Sequence, residues 1–133
     1  MLRSPRVHIE MQPVDFDEGW QALPGFPPGL DVKILADDLD ELNKTGARTR
    51  LVRFAPGIAT EAPLVHDYWE EVFLISGSIE PNDQKPANGQ GLTYACRPPG
   101  TPHGPFRSEG GCVMIELQYY AAERPRRRRE EGI

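Results

Sequence analysis

The sequence contains few cysteines, few histidines and no long hydrophobic run. Its 133 residues include two cysteines and three histidines. No stretch approaches the roughly 18 consecutive apolar residues that a membrane helix needs, and the first residues lead into an alternating pattern rather than an apolar signal core. We therefore expect a cytoplasmic protein without membrane contact. In that compartment Cys96 and Cys112 are expected to be reduced, mostly buried thiols.

Helical patterns are also scarce, because residues that interrupt helices are abundant. The 13 glycines and 14 prolines form about a fifth of the chain, against a usual share of about an eighth. Only residues 38–43 hint at a short helix. Strand-like segments with alternating apolar residues are the main signal. They are residues 32–36, 48–54, 70–79, 92–96 and 112–119. We predict a single all-β domain over residues 1–133, a sandwich or barrel, with the first thirty residues as an extended arm.

Positive charge is concentrated at one end of the chain. The formal net charge is −5, although residues 124–133 contain five arginines and two glutamates. The rest of the chain is therefore more acidic than the total suggests, which argues against general nucleic-acid binding. We expect the arginine-rich segment to be a solvated tail. A basic arm that reaches an acidic partner is the alternative.

The residues suited to metal chemistry lie in two distinctive segments. His66 is followed four residues later by Glu70, and their equal parity lets both side chains point into one interior. His103 follows a Pro-Gly turn that would deliver it to the start of a strand. Two imidazoles and one carboxylate form the facial triad that holds Fe(II), and the same set suits Zn(II) or Mn(II). Glu71 is the alternative carboxylate, and His8 in the arm is assigned no role.

These segments resemble the two motifs of the cupin family. The first cupin motif runs Gly, five residues, His-x-His, three or four residues, Glu, six residues and Gly. Its counterparts here are Gly57, His66, Glu70 and Gly77, with His66 in the second histidine position. The second motif contains Pro-x-Gly-x-x-His, which residues 98–103 match at every position.

The resemblance covers about residues 30–120 and is to small single-domain cupins of the ChrR-like type. It implies a jelly-roll barrel, the cupin double-stranded β-helix, with a divalent metal inside. It also implies a homodimer. His66, Glu70 and His103 are the metal ligands that it implies.

Two positions depart from the cupin pattern. Leu64 stands where the first histidine is expected, and Arg107 stands where an asparagine often closes the second motif. The ligand set is thereby reduced to three, with Glu61 as a remote replacement. Three protein ligands suffice where water or substrate fills the remaining positions. The loss of one imidazole should nevertheless weaken binding, so a cupin without metal remains an alternative.

Other residues are weaker candidates for the site. Tyr68 and Trp69 would line the mouth beside the ligands or simply cover the end of the barrel. An arginine would stabilise an anionic substrate oxygen. The candidates for this role are Arg50, Arg53 and Arg107. We assign the catalytic roles to Arg53 and Tyr68, and we expect Glu116 to point outward from its apolar strand.

The resemblance implies metal-dependent chemistry on a small molecule. Similar cupins include dioxygenases that cleave β-diketones or hydroxyacetophenones, and a similar domain forms the zinc-bound sensor part of certain anti-sigma factors. We expect an Fe(II) dioxygenase that acts on a small enolisable or aromatic oxygenated compound. A lyase, isomerase or cyclase with redox-inert Zn or Mn is one alternative, and a non-catalytic module that senses or binds a small molecule or a metal is the other. The ligand set also accepts Ni.

Overall fold

The computed structural model describes residues 4–82 and 90–122. These residues contain nine strands and no helix. The strands are β1 Gln21–Ala22, β2 Leu30–Asp37, β3 Ala47–Phe54, β4 Ile58–Ala59, β5 Trp69–Gly77, β6 Glu80–Pro81, β7 Thr93–Arg97, β8 Phe106–Ser108 and β9 Cys112–Tyr119. The described part also contains no helix of the length and apolarity that crossing a lipid bilayer requires.

The strands form two antiparallel sheets. The larger sheet has the order β1-β2-β3-β9-β5-β7, and the smaller sheet has the order β4-β8-β6. The last strand, β9, lies inside the larger sheet between β3 and β5, so residues far apart in sequence become neighbours. This architecture confirms the all-β class that the alternating pattern predicted.

Alternation along the long strands separates an inner face from an outer face. The buried cluster on the inner face consists of Leu30, Val32, Val52, Phe54, Val72, Leu74, Cys112 and Met114. Burial of a large apolar side chain such as Leu or Phe contributes about 1.5–3 kcal/mol to the free energy of folding. The core therefore lies on strands β2, β3, β5 and β9, and the same strands position the candidate site.

All five predicted strands are present, with ends that differ from the prediction by at most two residues. Strands β1, β4, β6 and β8 were not predicted, because two or three residues are too few to show a period. The predicted helix over residues 38–43 is wrong. A bridge between Asp40 and Thr45 closes a turn there, and the Asp40 carboxylate accepts hydrogen bonds from the backbone of Leu42 and Asn43. These bonds replace the intrahelical ones.

The N-terminal segment is irregular up to β1. The carbonyl of Ser4 accepts a hydrogen bond from the backbone of Asp37, and Arg6 pairs with Asp38 at 2.9 Å. Most of residues 5–18 are exposed. The chain joins the interior where Leu23 packs against the core. The arginine-rich tail over residues 124–133 lies outside the described residues.

The two thiols have different environments. Cys112 is buried at the start of β9, as predicted, but Cys96 is exposed. The prediction of a buried Cys96 is wrong, because the side chains of Ala95 and Arg97 take the inward positions of β7. Both cysteines are free.

Candidate metal centre

Four adjacent strands place one polar side chain each in a single row at one end of the inner face. We call this row the polar row. Cross-strand register sets its members directly opposite one another. They are Arg48 on β3, Gln118 on β9, Glu70 on β5 and Arg97 on β7.

Hydrogen bonds join the polar row. Gln118 Nε2 donates to Glu70 Oε2 at 2.6 Å, and Arg97 donates to Glu70 Oε1 at 2.8 Å. Arg48 Nε donates to the side-chain oxygen of Gln118 at 2.7 Å. The Glu70 side chain is only 3% exposed, so these donors supply the hydrogen bonds that burial of a carboxylate demands. The network fixes the orientation of Glu70.

Two loops bring the histidines to this carboxylate. His66 lies just before β5, and its carbonyl accepts a hydrogen bond from Gly100 at 2.7 Å. Gly100 has a φ of 79°, which suits glycine. His103 lies before β8 and forms a bridge with Leu64, with backbone hydrogen bonds of 2.7 and 2.9 Å. The two motif segments therefore pack against each other.

The three donor groups converge. His103 Nε2 lies 3.5 Å from Glu70 Oε1, and His66 Nε2 lies 4.0 Å from Glu70 Oε2. One donor atom from each of the three residues lies within 4.8 Å of the others. Ligand atoms that share a metal at about 2.1 Å are roughly 3–3.5 Å apart. A modest contraction would therefore let these residues hold a divalent cation.

The hydrogen-bond partners of the rings also suit a metal. His103 Nδ1 lies 3.1 Å from the carbonyl of Thr101, which can only accept. The Nδ1 therefore carries the proton, and the Nε2 lone pair faces Glu70. The His66 ring stacks on Tyr68 with 4.6 Å between centroids and 7° between planes. Each imidazole thus has an orienting contact besides the carboxylate, namely the Thr101 carbonyl for His103 and the Tyr68 ring for His66.

Electrostatics favour the metal-binding protonation states of Glu70 and His66. Burial tends to raise the pKa of Glu70, but the hydrogen bond from Gln118 and the charge of Arg97 outweigh it and hold the pKa below its usual value. Burial lowers the pKa of His66, against the opposing charge of Glu70. A neutral imidazole and an ionised carboxylate are the forms that bind metals. The residues present therefore fit a divalent ion.

A second polar pair lies one step further into the interior. Arg50 Nε donates to Glu116 Oε1 at 2.7 Å, and the two side chains are 14% and 12% exposed. The expectation that Glu116 points outward is wrong. Met114, Glu116 and Gln118 alternate inward along β9, and Arg50 in the facing register position compensates the buried carboxylate.

These groups line a cavity of about 320 Å³, at the lower end of the range for small-molecule sites. Its polar end contains the metal-ligand candidates and the arginines. Its other end is apolar. The apolar lining includes Leu23, Phe26, Leu30, Val52, Phe54, Val72, Leu74, Ile79, Phe106 and Met114.

Comparison with known families identifies the fold. A family profile described as the ChrR Cupin-like domain matches residues 11–121. The chain belongs to the ChrR cupin-like domain family. The match confirms the cupin resemblance and the jelly-roll architecture that it implied. A search of curated proteins finds no match to this chain.

Solved structures with the same fold perform different tasks. An acetylacetone dioxygenase from Acinetobacter johnsonii is 18% identical with a TM-score of 0.62, over 90% of this chain and 80% of that one. The polyketide cyclase RemF from Streptomyces resistomycificus is 18% identical with a TM-score of 0.57, over 83% and 80%. The complex of SigE with the anti-sigma ChrR from Rhodobacter sphaeroides matches at 18% identity and a TM-score of 0.54, over 77% and 49%. At these identities the likeness shows the cupin fold alone.

Of the two residues predicted to be catalytic in this cupin, the structure brings one to the cavity. Tyr68 is 5% exposed and lines the cavity. Burial raises its pKa to about 12, so the phenol keeps its proton at neutral pH. Arg53 lies on the outer face of β3, where it pairs with Asp31 at 3.1 Å and stacks over Trp20 at 4.3 Å.

The other sequence candidates lie outside the cluster of donor atoms. Glu71 faces away from it and accepts hydrogen bonds from Tyr94 and Tyr119. Trp69 stacks on Tyr119, and Glu61 is exposed. The structure therefore places none of these side chains beside His66 and His103.

Arg107 is also outside the cluster. Its Nε lies 3.8 Å from Glu80 and 3.5 Å from Glu109.

Three members of the polar row were not predicted from the sequence, namely Arg48, Arg97 and Gln118. Alternation along β3 carried the signal for Arg48, which shares the parity of Arg50. The pairing of Gln118 with Glu70 joins residues 48 positions apart and has no local signal.

Proposed function

We propose that this cupin is a metal-dependent oxygenase. It would hold Fe(II) through His66, Glu70 and His103 and act as a dioxygenase on a small enolisable or aromatic oxygenated compound. The observation that carries the proposal is the convergence of two imidazoles and one carboxylate at the polar end of a cavity. Such a triad leaves metal positions open for ligands other than the protein. The likeness to an acetylacetone dioxygenase supports the same class of chemistry.

Each part of the cavity has a role in this proposal. Fe(II), when bound, supplies Lewis acidity and one-electron chemistry toward O₂. The Tyr68 phenol keeps its proton and donates a hydrogen bond to a substrate oxygen. Arg97 and Gln118 hold the Glu70 carboxylate in one orientation. The apolar end takes the substrate body and excludes water. Arg53 has no part, because its side chain lies on the outer face.

The decisive measurement is the metal content of the purified protein, by mass spectrometry. We expect about one equivalent of iron in the parent protein and its loss in His103→Ala. The matched control is His8→Ala, which removes a histidine whose side chain is 84% exposed in the N-terminal arm. Iron that survives His103→Ala, or that is lost equally in His8→Ala, contradicts the proposed ligand set.

The oxygenase chemistry is tested by turnover. The iron-loaded protein should consume O₂ with at least one β-diketone or hydroxylated aromatic compound, and product formation should stop under anaerobic conditions. Equal aerobic and anaerobic turnover would exclude the oxygenase. It would move the assignment to the second candidate, a lyase, isomerase or cyclase with Zn or Mn, which the same ligand set permits.

The likeness to the anti-sigma ChrR supports one further candidate, a module that senses or binds a small molecule or a metal without catalysis. Deleting residues 124–133 should then abolish function without changing metal content, whereas an enzyme should be little affected.

We also propose a cytoplasmic homodimer. The outer side chains of Phe73, Ile75 and Tyr94 offer it an apolar contact surface, and light scattering would measure the mass of the assembly.

A further inference from the structure

We propose that the ligand of the cavity is an organic anion and that Arg48 recognises its charged oxygen. This inference rests on the proposed function in one respect, since it assigns the ligand class of the same cavity. Its physical basis is separate, because Arg48 is not one of the metal-ligand candidates and its charge is present without a metal. The expected ligand carries a carboxylate or enolate oxygen on an apolar body.

The charges that line the cavity do not balance. Three arginines and two glutamates line it. Arg97 is paired with Glu70 at 2.8 Å, and Arg50 is paired with Glu116 at 2.7 Å. Each carboxylate therefore already compensates one guanidinium. Arg48 is left as the excess positive charge.

Arg48 has a neutral partner. Its Nε and one terminal nitrogen donate to the amide oxygen of Gln118. Within residues 4–82 and 90–122, no carboxylate lies at ion-pair distance from it. Asp37 on β2 is the register partner of Arg48 on β3, but its carboxylate forms no ion pair with the guanidinium and accepts a hydrogen bond from the backbone of Leu39 at 3.0 Å. A partly buried guanidinium without an ion-paired carboxylate favours an anion in the adjoining space.

The position of Arg48 suits a ligand that also reaches the metal centre. Arg48 is joined through Gln118 to Glu70 by two successive hydrogen bonds. A guanidinium has five N–H donors, so several remain after the bonds to Gln118. Arg48, Tyr68 and Glu70 all line the same cavity. A ligand oxygen at its polar end therefore has both the guanidinium and the phenol among the surrounding hydrogen-bond donors.

The opposite end of the cavity defines the rest of the ligand. The side chains of Val52, Leu74 and Met114 offer no hydrogen bonds to hydroxyl or ammonium groups. The hydroxyl of Thr93 already donates to the carbonyl of Gly91. Polyols and cations would lose hydration there without compensation. An apolar body would gain by leaving water. A divalent metal would add to the positive charge at the polar end and so strengthen the preference for an anionic head group.

Calorimetric titration of the full chain with benzoate and with benzamide tests this inference. The two probes have nearly the same shape and differ in charge. We expect benzoate to bind more tightly than benzamide to metal-free protein. Arg48→Gln should weaken benzoate binding by about ten- to a hundredfold and leave benzamide binding unchanged. Undetectable benzoate binding, equal affinity for the two probes, or full benzoate affinity in Arg48→Gln would overturn the proposal.

Two further variants make the result specific. Arg53→Gln is the matched control, because it removes an arginine from the outer face of the same strand and should leave both affinities unchanged. Arg48→Lys keeps the charge and loses the planar fork, so it should still prefer benzoate, with reduced affinity. Loss of that preference in a folded Arg48→Lys protein would also contradict the proposal.

The metal-free titration separates this inference from the proposed function. Benzoate binding through Arg48 in a protein that takes up no metal would support the anion site and overturn the metal enzyme. A metal-loaded protein in which benzoate has no advantage over benzamide would overturn the anion site alone.

Discussion

The two ends of the inner face differ in chemistry although the same strands build them. At one end, β3, β9, β5 and β7 contribute the polar row. Four residues along the same strands, the facing positions are occupied by Val52, Met114, Leu74 and Thr93. Alternation is identical at both ends, so backbone geometry does not cause the difference. Side-chain choice alone makes one end of the inner face apolar and the other end polar.

This contrast assigns separate roles to the two ends. The apolar end supplies stability, because the side chains of Val52, Met114 and Leu74 are buried there without polar groups that need partners. The polar end contains buried charges, and each of them adds a desolvation cost that hydrogen bonds must offset. A protein selected for stability alone would have no need of such a row. The polar row therefore suits a role in binding and chemistry better than a role in stability.

The largest expected effect comes from breaking the apolar end. Leu74→Ala removes a side chain that is 2% exposed, and it should lower the free energy of unfolding by about 4 kcal/mol through lost burial and the cavity left behind. Chemical denaturation measures the change. The matched control is Ile75→Ala, one residue further along β5 and 38% exposed, which should cost much less. Similar losses in the two variants would contradict the division into ends.

Breaking the polar end at the Arg50–Glu116 pair should have the next largest effect. Glu116→Leu leaves the guanidinium of Arg50 without its counter-charge and should cost about 3 kcal/mol. Adding Arg50→Met makes both positions of the pair apolar. The double variant should recover most of the lost free energy of unfolding, because no unpaired charge remains. Urea denaturation of the two single variants and the double variant measures the coupling. Additive losses would show that the two side chains do not depend on each other.

The ends also differ in how far the sequence predicts them. The strands of the apolar end follow from alternation, and the candidate ligands follow from two local motifs. The contacts of Glu70 depend on register between distant strands, which explains why Gln118 was not found. Arg53 is a different case. Arg50 and Val52 share one face of β3, and alternation places the next residue, Arg53, on the other face. The sequence pattern therefore already indicated an outward side chain for Arg53.

Removing Gln118 tests whether the polar row positions Glu70. Gln118→Leu deletes the donor at 2.6 Å from Glu70 Oε2 and leaves that oxygen without its partner. Loss of a hydrogen bond that orients a metal ligand typically costs ten- to a hundredfold in metal affinity, and we expect an effect of about that size. Competition with a chelator measures the affinity. Gln118→Asn keeps an amide with a shorter reach, so its metal affinity should lie between those of the parent protein and Gln118→Leu. Unchanged affinity in both variants would show that Glu70 needs no such support.

The smallest expected effect comes from adding a ligand to the polar end. Leu64 is bridged to His103 by two backbone hydrogen bonds and lines the cavity beside the three donors. Leu64→His would therefore place a third imidazole, and so a fourth ligand, next to the centre, and metal affinity should rise about tenfold, which corresponds to roughly 1.4 kcal/mol. The matched control is Val65→His, because Val65 is 59% exposed and lies outside the cavity lining. A gain in metal affinity confined to Leu64→His would show that the three donors are already placed around a metal site and that this site accepts one more protein ligand. An equal gain in both variants would mean that the added imidazoles bind metal on the surface, away from this centre.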